Sequence, residues 1–234
     1  MPDIMGEPDE RPTKRIYLVR HGETALNAEH KMRGWDNPPL NEDGEADAEK
    51  VAEVLAALKL DKIYCSDLKR ATQTANTVNE AQQTARPLEP TLNLRTIDVG
   101  MWTGRPVEQV EPRLAQLQAA WRTKPDTEAP GGESFTSFQR RQLAAWREIL
   151  DGKGAQVAVV SHLRCCVWAL GWALQDRKPL AGDDLLLLDR LTQKTGRFSI
   201  LTFSGREGLK VEDVNTLTLD PGGVIYKPEM GPRP

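Results

Sequence analysis

Two short apolar runs each end on a histidine, and this pairing restricts the fold more than any other feature of the chain. Ile16-Tyr17-Leu18-Val19 leads into Arg20-His21-Gly22-Glu23, and Val157-Ala158-Val159-Val160 leads into Ser161-His162-Leu163-Arg164. Unbroken β-branched runs of this length read as strands buried on both faces of a parallel sheet. Ligands of such sheets gather just beyond the strand C-termini. The chain has 3 histidines; two of them stand at these ends, which points to an active site there.

Strand-like and helix-like segments alternate along the chain. Residues 15–19 and 62–65 read as strands. Residues 22–39 read mostly as loop. Asn41 suits a helix cap, with two acids after it in the first turn. Ala48, Val51, Ala52, Leu55 and Leu58 then mark one helical face. Ser66-Asp67 is expected to cap a helix over 68–81. Residues 87–96 are extended, and 98–104 form a loop carrying Trp102. Helices are expected over 107–121 and 134–150, a strand over 156–160, and a largely buried helix over 163–174. Residues 197–203 and 209–215 predict a hairpin, and 222–226 a small edge element. This alternation predicts an α/β sandwich, with a single domain over 14–226 between flexible tails at 1–13 and 227–234.

A net charge of −3 over 234 residues gives no global attraction to nucleic acid or to anionic membrane. Any anion site must be a local cluster of arginines. No apolar run approaches a bilayer span. The first eleven residues, acidic and proline-bearing, are unlike a signal peptide. Cys65, Cys165 and Cys166 lack metal or redox spacing and lie in apolar segments. They read as small buried hydrophobes, with a reducing cytoplasm as the natural compartment. No metal site and no cofactor are expected.

The chemistry-bearing segments fall in a set order. Arg20-His21-Gly22-Glu23-Thr24 is followed by Asn27. Next come Gly34-Trp35-Asp36-Asn37-Pro38-Pro39-Leu40 and Ser66-Asp67-Leu68-Lys69-Arg70-Ala71-Thr72-Gln73-Thr74-Ala75. Pro130-Gly131-Gly132-Glu133-Ser134 precedes the strand that ends at His162. In this order they resemble the histidine phosphatase superfamily, the phosphoglycerate-mutase-like proteins, over roughly Lys14 to Ala173. The resemblance implies a three-layer sandwich with a mostly parallel central sheet. It implies His21 as a nucleophile that becomes phosphohistidine. Arg20, Arg70 and His162 would complete the phosphate pocket, with Asn27 as an added polar contact. Guanidinium forks suit phosphate oxygens, and their charge disfavours imidazolium and keeps His21 nucleophilic. A helix after Arg20-His21 would aim N–H groups at the anion. Thr24, Arg33, Glu133 and Leu163 are further candidates for substrate contact, Arg33 at the mouth.

The pattern departs from the family at two positions. Thr96 stands where relatives usually place the glutamate that protonates the leaving oxygen, and threonine cannot do this near neutral pH. Asp98, two residues on, is the first substitute and Glu133 the second. Leu163 stands where many relatives carry glycine. The leading expectation is a metal-independent phosphomonoesterase acting on a small phosphate ester. A phosphoglycerate mutase and a phosphate-binding protein on a degenerate scaffold are the alternatives. A homodimer is open to the chain, with the C-terminal hairpin either at its contact or over the cleft.

Overall fold

Alternate residues of the central strands enter different cores. In strand β1 (Lys14–Arg20), Ile16 and Leu18 join one hydrophobic cluster while Tyr17 and Val19 join the other. In β4 (Gln156–Ser161), Val157 and Val159 face the first cluster, and Ala158 and Val160 face the second. This period-2 division is what a sheet covered on both faces requires.

The computed structural model describes residues 12–216. Its sheet has six strands in the order β3-β2-β4-β1-β5-β6, where β2 is Lys62–Ser66, β3 Leu88–Thr91, β5 Phe198–Ser204 and β6 Gly208–Thr216. β1, β2, β3 and β4 run parallel, and β5 lies antiparallel to β1 and to β6. Helices α2 (Glu42–Ala56) and α3 (Lys69–Glu80) supply Val51, Leu55, Ala71, Ala75 and Val78 to one core. The other core receives Val110 and Leu117 from α4 (Val107–Trp121), Phe138 and Trp146 from α5 (Phe135–Asp151), and Trp168 from α6 (Leu163–Leu174). The result is the three-layer, mostly parallel sandwich expected from the sequence.

Asn41 caps α2 by accepting the Gly44 N–H at 2.8 Å. Leu58 lies beyond the end of that helix instead of riding its face. The loop over 22–39 contains a one-turn helix, α1 (Ala25–Ala28). Ser66 and Asp67 do not cap α3; the cap position is Leu68, without a side-chain bond. Both polar groups are drawn elsewhere, Ser66 to His162 and Asp67 to Arg95. A 3₁₀ turn at Gly182–Leu186 and helix α7 (Leu187–Arg190) have no counterpart in the sequence reading. The expected edge element at 222–226 and the tail at 227–234 lie outside the described residues, as do residues 1–11 of the expected N-terminal tail.

Candidate active site

Strand register brings the two histidines together. Arg20 pairs with Ser161 across β1 and β4, so His21 and His162 leave the sheet side by side. Their ring centroids are 5.1 Å apart at 63°. β2 flanks β4 on its other side, Cys65 opposite Val160, which brings Ser66 beside His162. Ser66 Oγ lies 2.8 Å from His162 Nε2.

The chain turns sharply after His21 because Gly22 packs against Gly44 of α2. A Cβ on Gly22 would stand 2.1 Å from the Gly44 carbonyl oxygen, and one on Gly44 would stand 2.0 Å from that of Glu23. Only glycine at both positions permits this approach. The Gly22 N–H is tied to Thr74 Oγ1 at 3.1 Å, and the His21 N–H to the Ser161 carbonyl at 3.0 Å. These two amides are therefore committed within the protein. The helix that follows, α1, begins at Ala25, four residues past His21.

His21 Nδ1 lies 2.6 Å from the Gly22 carbonyl oxygen. A carbonyl only accepts, so Nδ1 carries the proton and Nε2 keeps its lone pair. Burial, chiefly, and then the charges of Arg70 and Arg20 hold the His21 pKa well below its ordinary 6.5. Desolvation outweighs the guanidinium charges to which the sequence alone points. His162 is held low by the same causes, burial first and Arg70 next. Both rings are neutral near pH 7.

Each arginine is held by backbone carbonyls. Arg20 Nη1 donates to Gln193 O at 2.6 Å; Arg70 donates to Asp36 O at 2.7 Å and to Gly34 O at 3.1 Å. Burial and the neighbouring charge of Arg33 lower each to about 10, which leaves both cationic at neutral pH. Their Nε atoms are buried without a partner among the described residues, as is His162 Nδ1. Buried polar atoms without partners are costly.

A cavity of about 260 Å³ opens from this cluster. Arg20, His21, Arg33, Arg70 and His162 line it, and the charge of Arg33 acts on Arg20, His21 and Arg70. Trp102, Val107, Leu114, Leu117, Trp121 and Leu163 line much of the remainder. Thr96 and Asp98 are on the wall, and Asp98 Oδ1 accepts the Gly100 N–H at 2.9 Å. Leu163 and Arg164, in the first turn of α6, also reach the cavity. Arg33, expected at the mouth, lines this cavity.

The remaining candidates stand off the wall. Asn27 Oδ1 accepts from the Thr24 hydroxyl at 2.7 Å, so the two residues close the first turn of α1. Glu133 accepts from the Asp98 N–H at 2.9 Å and pairs with Arg141. Neither Thr24, Asn27 nor Glu133 lines the cavity. Glu133 acts with Arg141 as a brace: Arg141 donates to the carbonyls of Asn93, Arg95 and Thr96 and fixes the wall loop.

Three positioning residues escaped the sequence reading. Ser66 was visible as a polar strand end but was assigned to capping. Thr74 bonds both the Gly22 N–H and the Arg70 carbonyl. Fully buried Gln193 holds Arg20, the Leu18 carbonyl and Ser199. It lies beyond Ala173 and carries no local signal. Among the described residues no cluster of three or more His, Cys, Asp or Glu side chains could hold a metal ion. No described helix is long and apolar enough to cross a membrane. The three cysteines are buried and free, and burial pushes Cys65 up to about 12.

The sequence pattern of the histidine phosphatase superfamily (branch 1) matches residues 16–215, well past Ala173. A probable phosphoglycerate mutase of Cronobacter sakazakii is 34% identical over 154 residues, covering 63% of this chain and 69% of the relative. The crystal structure of a putative α-ribazole-5′-P phosphatase from Escherichia coli covers 88% of this chain and 98% of its own, with a TM-score of 0.72 at 22% identity. A mycobacterial glucosyl-3-phosphoglycerate phosphatase covers 87% and 99%, with a TM-score of 0.69 at 23% identity.

Proposed function

Because the chain belongs to the histidine phosphatase superfamily, branch 1, we propose that it hydrolyses a phosphate monoester through a phosphohistidine formed on His21. The observation that carries this reading is the commitment of His21 Nδ1 to the Gly22 carbonyl, which leaves an unprotonated Nε2 beside buried Arg20 and Arg70. A nucleophilic nitrogen at the centre of a fixed cationic cluster is what covalent phosphoryl transfer requires.

In this reading the arginines and His162 hold the phosphoryl oxygens and neutralise charge as it moves onto them. His21 Nε2 attacks phosphorus as the ester oxygen leaves; water then attacks phosphorus and releases inorganic phosphate. Asp98, a carboxylate on the cavity wall, passes a proton to the leaving oxygen in this reading. Ser66 orients His162. Its oxygen accepts the Leu68 N–H at 3.4 Å, and with the hydroxyl donating to Nε2 the imidazole proton sits on Nδ1. No metal or cofactor takes part, and the free thiols fit a cytoplasmic setting.

A second reading, phosphoglycerate mutase, is favoured by the curated relatives of that name. Steady-state turnover of a panel of phosphate esters, with His21→Ala beside the wild type and with chelator present, separates them. Turnover that survives chelator and is lost in His21→Ala is expected. Activity only in the presence of a bisphosphoglycerate would establish the mutase. No turnover of any ester, with inorganic phosphate still bound, would leave a binding protein.

A further inference from the structure

Resting on the hydrolase reading, we propose that the substrate is an aryl phosphate, a monoester whose alcohol is an apolar, phenol-like ring system. The first support is the division of the cavity. Besides the charged group, the lining includes Trp102, Val107, Leu114, Leu117, Trp121 and Leu163. Trp102, Leu117 and Trp121 are at least nine-tenths buried, and the other three are half-buried. Arg164, the cation in this part, also lines a second cavity beside Asp189, whose charge acts on it. The hydroxyls of a sugar would meet these apolar side chains with few partners, and unpaired polar groups are costly in such a place. A ring system loses nothing by leaving water there and gains edge or offset contacts with the two indoles.

The second support is the supply of protons. Asp98 is the one carboxylate on the wall among the described residues, and one of its oxygens is already held by the Gly100 N–H. The Thr96 hydroxyl cannot act as an acid near neutral pH. An alkoxide leaving group needs a proton in the transition state, whereas a phenoxide, a far weaker base, leaves with little help. In the first step the His21 Nε2 lone pair forms the N–P bond as the P–O bond to the ring breaks. The aryloxide departs with the bonding pair and takes a proton from Asp98 or water. Water then forms the new P–O bond and gives up its proton to solvent. The N–P pair returns to Nε2 and inorganic phosphate leaves.

The test has a binding arm and a turnover arm, both on the full chain. Calorimetry with methylphosphonate, phenylphosphonate and 1-naphthylphosphonate reads the ring site without chemistry; the naphthyl compound is expected to bind at least about tenfold tighter than the methyl one. The second arm compares kcat/KM for 1-naphthyl phosphate, n-octyl phosphate and glycerol 1-phosphate. An advantage of about 100-fold or more for the naphthyl ester over the glycerol ester is expected, with the octyl ester between them. Equal or faster turnover of glycerol phosphate, or octyl phosphate matching naphthyl phosphate, would overturn the proposal while leaving hydrolysis in place. Ring-selective phosphonate binding with no turnover of any ester would overturn hydrolysis itself. Leu114→Gln, a half-buried position, is expected to lower the naphthyl-to-glycerol ratio by about tenfold; an unchanged ratio would remove this wall from specificity.

Discussion

The two ends of the cavity are built by different means. The charged end is made at the sheet: His21, His162 and Ser66 leave three adjacent parallel strands in register, and the arginines are pinned by backbone carbonyls. The apolar end is made from α4, the first turn of α6 and the loop over 96–99. That loop is held from behind by Arg141, with Glu133 at its side. Moving a catalytic group would require shifting a strand against neighbours hydrogen-bonded on both sides. Reshaping the apolar part requires exchanging side chains on α4, on the first turn of α6 or on that loop. In the proposed reading the first part fixes the reaction and the second selects its substrate.

This separation is breakable by experiment. His21→Ala is expected to cut kcat/KM more than about 10³-fold for every ester, whatever its alcohol; a loss confined to ring-bearing esters would break the division. Arg70→Ala should cost about 10²–10³-fold, again evenly across esters, and should weaken inhibition by inorganic phosphate. Ser66→Ala should cost roughly tenfold by freeing His162 to change tautomer. Its pH–rate profile should shift, and Ser66→Thr should recover most of the loss; a flat profile and no recovery would make Ser66 merely structural. Asp98→Asn should slow alkyl esters several-fold more than aryl esters. Equal losses would take Asp98 out of proton transfer.

The smallest effect is on stability. Both active-site histidines are held below their ordinary 6.5 in the folded chain, chiefly by burial. Below that value the unfolded chain binds protons that the folded one does not. Their contribution is therefore fully present above about pH 6.5 and is lost as pH falls below it, at up to about 1.4 kcal/mol per pH unit for each ring. Denaturant midpoints measured from pH 7.5 to 5 without phosphate should fall for the wild type. They should fall less steeply for His162→Asn.

The charged end was legible in the sequence because its residues lie within a few positions of strand ends. Apolar runs announce strands, and the histidine after each run marks the point where the chain leaves the sheet. Ser66, Thr74 and Gln193 were not legible in their roles, since each is defined by a partner far along the chain: His162, Gly22 and Arg20. Glu133 and Asn27 were read as substrate contacts on motif position alone. In the fold Asn27 turns back on Thr24, and Glu133 meets Arg141 and the Asp98 N–H, the last a partner that sequence does not reveal. The apolar end was invisible for the same reason. The periodicity of residues 107–121 marks a helix, but it does not tell a face that packs on the core from one that lines a hollow.

The most direct test of the central claim is to stop turnover of 1-naphthyl phosphate within milliseconds in base, which preserves a phosphorus–nitrogen bond, and to locate the phosphoryl group by fragment mass spectrometry. One phosphoryl group on the imidazole of His21 is the expected result. A phosphoryl group on any other residue, or steady turnover with no labelled enzyme at any time, would contradict the account.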